Sequence, residues 1–515
     1  MVLVAASSRA KLENKANKTL ENIRQWGKAN KLDFNPKKTK GIIFTRPRTP
    51  HLYRRVLTVK MDNTSVKIEQ TLKYLGITLH HRLSWIPHVK NVSDKTNQLY
   101  NEMTKIAKSN WGLCPQIMST IYDSVFIPML SYAVPAWAES IDQTHIYRKL
   151  QSAQRKALLR ICRAYSTTPT AALQVIAGKL PINQELGIIV NKWKLRKGHD
   201  INVNGDIIDK VEAYHSHNAR PAPYNWPQIV NIPWPDQALS VYTDGSKNEE
   251  EVGSAFVAYH NNKEVHNFTN KLGKHCTAYQ AELWAILSAI RWCNENYKST
   301  YVNIFTDSFS SVQAIGNYDW RHPICNQILH EINTNTNFYA LVWVRGHSGI
   351  EGNEWADSLA RSASTTNNVV GYTSTPHSYI IRKLRDNALS NWQHKWNVMG
   401  NTITKKFFPT VSTAIKHNIG HHLSQFYTNH GNFSNYLNRF GKSTNKNCVI
   451  CGIPDGAEHY LLQCPMLQDT RQKIISLLPP GTNWPCQLAT LLQEKNLKET
   501  FEELVKRYFQ RTTVR

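Results

Sequence analysis

The sequence predicts an α/β unit with a mixed sheet and flanking helices in the middle of the chain, set between a mostly helical first part and a small helical tail. Three observations carry this expectation. Between about 237 and 366, three strand-like runs come in succession and are followed by alternating helix and strand patterns, so hairpins should join an antiparallel portion to parallel strands. Outside that stretch, apolar residues recur at helical spacing. Between the two regimes, residues 196 to 236 collect Gly198, Asn202, Asn204, Gly205, Pro221, Pro223, Pro227, Pro233 and Pro235, the composition of a linker. A chain of 515 residues is expected to hold about two to four domains.

In order along the chain, Leu12, Ala16, Leu20, Ile23 and Trp26 mark a helix over residues 10 to 30, stopped by Asn35-Pro36. GIIFT (41 to 45), TVKMDN (58 to 63) and KYLGITL (73 to 79) read as strands. Helical patterns follow near 90 to 108, 116 to 130 and 143 to 163. The last carries Arg148, Lys149, Arg155, Lys156, Arg160 and Arg163 around an apolar stripe, and either tracks a phosphate backbone or is simply a solvated face. In the middle unit the spacing predicts strands at 239–244, 252–260, 264–271, 301–306 and 338–345. Helices are expected at 277–295, 308–316, 323–334 and 353–363. Beyond 366 the chain is polar and helical in patches.

The 62 Lys and Arg against 37 Asp and Glu leave a net charge of +25, which favours a polyanionic partner through counterion release. Nine cysteines, of which only Cys448, Cys451 and Cys464 cluster, do not form a secreted disulfide framework. MVLVAASSRAKL is too short an apolar patch for a signal peptide, and no run reaches the length of a membrane span. An intracellular protein, nuclear or cytoplasmic, with no membrane partner is expected; the oligomeric state is not encoded in any pattern here.

Four acids of the middle unit share a position. Asp244 closes the first strand before Gly245, which permits a tight turn, and Asp307 closes TYVNIFTD where a helix begins. Glu282 lies in the first turns of TAYQAELWAILSAIRW, and Asp357 near the start of GNEWADSLARSAS. Functional groups in such sheets gather where strands end and helices start. Singly, each acid is equally a turn residue, a helix cap or a complement to a helix dipole. Together they would repel one another and raise their pKa values, a conflict that a divalent cation removes. Mg²⁺ takes hard oxygen ligands and keeps waters, leaving room for phosphate oxygens. Two such ions roughly 3.5–4 Å apart can activate a water and stabilise the leaving oxygen of a phosphodiester.

YTDGSK, TAYQAELWAI, IFTDS and VRGHSGIEGNEWADSLA occur in the order and context of the ribonuclease H family, which this segment of about 130 residues resembles. The resemblance implies a mixed five-stranded sheet with flanking helices and two-metal hydrolysis of the RNA strand of RNA–DNA hybrids, with Mg²⁺ or Mn²⁺. It implies that Asp244, Glu282, Asp307 and Asp357 hold the metal ions. His347, between Gly346 and Gly349, would be the mobile histidine of proton transfer or product release, and Glu282 would help sense the 2′-hydroxyl. Ser246, Ser308 and Asn353 are candidates for contacting the hybrid or orienting the acids. Only Asn317 to His322 separate the second and third helices, so the extra basic helix of some family members is missing.

Residues 1 to 195 resemble the end of a reverse transcriptase from an insect-type non-LTR retrotransposon, through MVLVAASS, the helix ending in Trp26, LDFNPKKTKGIIF, KYLGITL, Trp85 and His88. The resemblance implies the end of a palm and thumb-like helices. The aromatic-x-Asp-Asp turn of that family is expected upstream of such a segment and is not found downstream, so polymerisation by this chain alone is not expected. Near the other end, CVICGIPDGAEHYLLQCP gives Cys448, Cys451, His459 and Cys464 at C-x2-C-x7-H-x4-C spacing, which suits tetrahedral Zn²⁺. It resembles the Cys-Cys-His-Cys segment of non-LTR retrotransposon polyproteins. Lys442 and Lys446 beside it could meet nucleic acid. The readings are a metal-dependent ribonuclease H acting on RNA–DNA hybrid, a non-catalytic remnant that binds nucleic acid, including RNA, and a reverse transcriptase completed by a missing half. The domains expected are 1–195, a linker at 196–236, 237–366, and 367–515 with the zinc segment at 448–464.

Overall fold

The computed structural model describes residues 1–44, 57–103, 113–208, 210–213, 229–235, 238–249, 251–365, 370–412 and 419–513. Pro221, Pro223 and Pro227 of the expected linker, and the end of the 90–108 helical pattern, lie outside them. The chain forms two compact units, residues 1–190 together with 388–515, and residues 191–387.

The sheet of the second unit is built from β1 (Leu239–Lys247), β2 (Val252–His260), β3 (Lys263–Leu272), β4 (Tyr301–Thr306), β5 (Phe338–Trp343) and β6 (Val370–Tyr372). Their order across the sheet is β5-β4-β1-β2-β3-β6. β1 to β3 form an antiparallel meander, and β4 and β5 add to β1 in parallel. Five strands were expected; the sixth, β6, pairs in parallel with β3 from beyond the predicted domain end. The helices are α1 (Ala278–Asn296), α2 (Phe309–Gly316), α3 (Pro323–Asn333) and α4 (Glu351–Thr365). Val241, Phe256 and Ile304 of the sheet bury against Leu283, Ile286, Leu287 and Ile290 of α1 and Ile324 and Ile328 of α3. α4 closes over β2, where a Cβ on Gly253 would lie 2.2 Å from the Ala360 carbonyl oxygen.

The expected turn at Gly245 does not form there. β1 continues through it, paired with β2 as far as Lys247↔Val252. Glycine is required for a different reason: a Cβ on Gly245 would lie 2.3 Å from the Glu282 backbone nitrogen. α1 therefore packs backbone to backbone on β1. Within 196–236, Ile201–Val203 and Asp206–Ile208 pair as a hairpin around Asn204 and Gly205, both at positive φ. Val211 bridges to Thr375, and Val230 to Ala340 beside the sheet.

In the first unit the expected helices appear as Arg9–Ala29, Ile86–Met103 and Thr144–Cys162, while 116–130 is wound through a π-helical stretch at Tyr122–Phe126. KYLGITL is a hairpin, Thr71–Tyr74 with Ile77–His80, and not one strand, because Leu75 and Gly76 turn the chain at φ +45° and +83°. Among the described residues of GIIFT, only Gly41 pairs as a strand, beside Lys40. One apolar core takes Leu158, Ile161 and Leu173 from the first part of the chain and Phe426, Leu461, Phe501 and Leu504 from its end. Of the six basic residues on Thr144–Cys162 and its cap, Arg155 donates to the Thr168 carbonyl at 2.6 Å and Arg163 to that of Leu113 at 3.1 Å. Arg148, Lys149, Lys156 and Arg160 remain exposed. Among the described residues no single helix is long and apolar enough to cross a membrane.

Candidate functional site

Four segments bring the acids to one cavity. Asp244 stands on β1, the central strand, and is buried at 6% exposure. Asp307 follows the last residue of β4, and Val344 N–H bonding to the Thr306 carbonyl brings the β5 loop beside it. A Cβ on Gly346 would lie 2.6 Å from Asp307 Oδ2, so that loop needs glycine to leave the carboxylate room. Glu282 comes from the start of α1, fixed by a capping box between Thr277 and Gln280. Asp357 comes from α4, one turn ahead of Arg361.

One carboxylate oxygen each from Asp244, Glu282 and Asp307 lie within 4.8 Å of one another. Asp357 lines the same cavity of about 500 Å³, together with Ser246, Lys247, His347, Asn353 and Arg361. Burial first, then Asp307 and Asp357, pushes the Asp244 carboxyl up to about 7. Burial, reinforced by Asp244 and Asp307, holds Glu282 well above the ordinary carboxylate range. Glu282 Oε2 and Asn353 Oδ1 are buried with no hydrogen-bond partner. Buried acids that repel one another and carry an orphaned oxygen fit hard divalent cations, which would satisfy both deficits.

The expected site residues are not all brought together. His347 is exposed in the loop after β5 at φ +50°, within the cavity lining. Ser246 and Asn353 also line the cavity, but Ser308 does not: its hydroxyl pairs with those of Ser311 at 2.8 Å and Ser310 at 3.4 Å. Arg361 was missed. Its guanidinium lies 2.7 Å from Asp357 Oδ2, and the Asp-x3-Arg spacing on a helix was the available signal.

In the first unit, ligand atoms of Cys448, Cys451, His459 and Cys464 all lie within 4.8 Å of one another. Cys464 Sγ is 4.0 Å from Cys448 Sγ and 3.7 Å from Cys451 Sγ, and all three cysteines are free of disulfides. A zinc–sulfur bond of about 2.3 Å implies tetrahedral S···S edges of about 3.8 Å, which these separations match. Both ring nitrogens of His459 are buried without a partner, and burial lowers its pKa, favouring the neutral imidazole that a metal needs. Gly452, at φ +71°, donates its N–H to the Cys448 carbonyl and closes the turn that carries the first two thiols. Arg471 braces the far side with bonds to the carbonyls of Leu461, Tyr460 and Cys464.

Residues 236–365 match the family model described as RNase H. The chain is 32% identical over 220 residues to a Retrovirus-related Pol polyprotein from type-1 retrotransposable element R1 4 of Nasonia vitripennis, covering 40% of this chain and 56% of the relative. It is 25% identical over 187 residues to a Retrovirus-related Pol polyprotein from type-1 retrotransposable element R1 of Bradysia coprophila, covering 36% of this chain and 18% of the relative. It is also 26% identical over 151 residues to an RNA-directed DNA polymerase from mobile element jockey of Drosophila melanogaster, covering 28% and 15%. The matched stretches thus span about half or less of these curated relatives. Residues 236–365 are a ribonuclease H domain, carried on a chain that is homologous over about 40% of its length to the Pol polyproteins of R1 non-LTR retrotransposons.

Proposed function

We propose that the chain is a divalent-metal-dependent endonuclease that hydrolyses the RNA strand of RNA–DNA hybrids. The observation that carries this is the convergence of Asp244, Glu282 and Asp307, with Asp357 on the same cavity wall, inside a ribonuclease H domain. Bound Mg²⁺ or Mn²⁺ ions would supply activation of a water and stabilisation of the leaving oxygen. Asp244, Glu282 and Asp307 would hold the ions, whose charge would offset the repulsion among these carboxylates. Asp357, paired with Arg361 through Oδ2, would complete the ligand set. His347 stands at the exposed rim, where its imidazole can carry a proton to or from the product. Ser246 and Asn353 contact the hybrid or orient the acids, and Glu282 helps sense the ribose 2′-hydroxyl. Cys448, Cys451, His459 and Cys464 hold a structural Zn²⁺. Exposed Arg148, Lys149, Lys156 and Arg160 supply nucleic-acid grip outside the domain.

The purified chain is expected to cut the RNA of a hybrid in Mg²⁺, leaving a 3′-hydroxyl and a 5′-phosphate, and to spare duplex DNA. Asp244→Asn should abolish cutting and spare hybrid binding. Hybrid cleavage by that variant at the wild-type rate would overturn the assignment, and a wild type that binds hybrid in low salt without cutting it would leave a binding protein.

A further inference from the structure

Outside the matched segment, one acid is buried against it. Glu212 is 1% exposed, in a stretch whose composition reads as linker. Its N–H bonds to the Thr375 carbonyl at 2.9 Å, on the other side of the domain in sequence. Its Oε1 accepts from Gln280 Nε2 at 2.9 Å and from the Tyr372 hydroxyl at 3.0 Å, and lies 3.5 Å from His322 Nε2. His322 Nδ1 accepts from the Cys325 N–H as the cap of α3, which leaves Nε2 as the ring donor facing Glu212. The carboxylate therefore sits at the N-termini of two helices, α1 and α3, where their dipoles favour negative charge.

Gln280 is the link to the acids. Its Oε1 accepts from the Thr277 N–H at 2.9 Å, and its own N–H bonds to Thr277 Oγ1 at 3.2 Å. The other end of the same amide is held by Glu212 and, at 3.3 Å, by the Ser374 carbonyl. Two residues on is Glu282, whose backbone nitrogen is pressed against Gly245. A shift of the first turn of α1 moves Glu282 relative to Asp244 directly, because the helix backbone packs against the strand backbone at Gly245.

Resting on the ribonuclease reading above, we infer that Glu212 is a positioning residue. It joins the segment before the domain to β6 after it in a clasp that fixes the first turn of α1, and so the place of Glu282 in the acid cavity. The functional unit thus extends on both sides of 236–365.

The test uses the full chain. Glu212→Ala should raise the Mg²⁺ concentration for half-maximal hybrid cleavage by about tenfold or more, as loss of a supporting partner does at metal sites. KM for the hybrid should stay near wild type. Amides at 280 to 282 should exchange with solvent markedly faster in the same variant without metal. Glu212→Gln, which keeps the acceptor oxygen, should recover most of both, and Tyr372→Phe should give a smaller change in the same direction. Unchanged exchange at 280 to 282 in Glu212→Ala overturns the clasp whatever the activity. An equal Mg²⁺ shift in a variant such as Ile332→Ala, chosen in α3 for a similar loss of Tm, also overturns it. A wild type that never cuts hybrid would instead overturn the ribonuclease reading and leave the exchange result standing.

Discussion

The acid cavity of one unit and the cysteine–histidine cluster of the other each bring candidate metal ligands within 4.8 Å, by opposite routes. The acids come from the interior of β1, the end of β4 and two helices, 113 residues apart between Asp244 and Asp357. They face an open cavity and repel one another, and burial drives Asp244 up to about 7. The thiols and the imidazole come from 17 residues, 448 to 464; three of the four are buried, and Cys448 and Cys464 belong to an apolar core that also includes Leu467 and Tyr508. A closed set of soft ligands suits a structural ion, whereas an open set of hard ones leaves room for water and phosphate. The acid set is charge-frustrated without metal, whereas the cysteine–histidine set leaves both ring nitrogens of His459 unpaired. That difference predicts that metal removal should unfold one unit and silence the other.

The largest effect is expected at the thiols. Stripping the chain with a strong zinc chelator should abolish the cooperative melt of residues 1–190 with 388–515, since structural zinc contributes on the order of 10 kcal/mol in small domains. Calorimetry that shows no change on chelation would erase the contrast. Next, Asp244→Asn should cut hybrid hydrolysis by about a thousandfold or more, equivalent to roughly 4 kcal/mol of barrier. Single-turnover assays at saturating Mg²⁺ measure it, and a loss under tenfold would remove Asp244 from the site.

The same substitution should stabilise the metal-free protein. The Asp244 carboxyl is raised from an ordinary 3.8 to about 7, so the folded state holds a proton that the unfolded chain releases. Its contribution is fully present below about pH 4 and is lost as the pH rises through 7. In EDTA, stability of the 191–387 unit should therefore fall between pH 5 and pH 8, and Asp244→Asn should gain on the order of 1–2 kcal/mol at pH 8 with a flatter slope. Urea titrations at the two pH values check this; identical slopes would mean the acids are not in conflict. The smallest effect is expected at Ser308→Ala, within about 0.5 kcal/mol in stability and with hydrolysis unchanged, because its hydroxyl serves Ser310 and Ser311. A large loss of hybrid affinity in that variant would return Ser308 to the substrate face.

The two regions were unequally legible in the sequence. Cys448, Cys451, His459 and Cys464 could be read from spacing alone, because one turn and one short helix bring them together. The four acids could be read individually as strand-end and helix-start residues, but their convergence came from the resemblance and not from any local pattern. Strand and helix bounds in the middle unit were recovered closely, since alternating and helical periodicities dominate there. The turn expected at Gly245 was misplaced because a glycine needed for close approach of α1 looks, in sequence, like a glycine needed for a bend. KYLGITL was read as one strand because its apolar residues mask the left-handed pair Leu75 and Gly76.

The sequence by itself determined the order of elements, the positions of the acids and the spacing of the cysteine–histidine segment, because each is written within a few turns of chain. The fold alone decided that β6 joins the sheet, that Glu212 clasps α1 and α3, and that residues from 89–190 and 392–509 share one apolar core. Such pairings are chosen by which distant surfaces exclude water together, and no window of local periodicity carries that information.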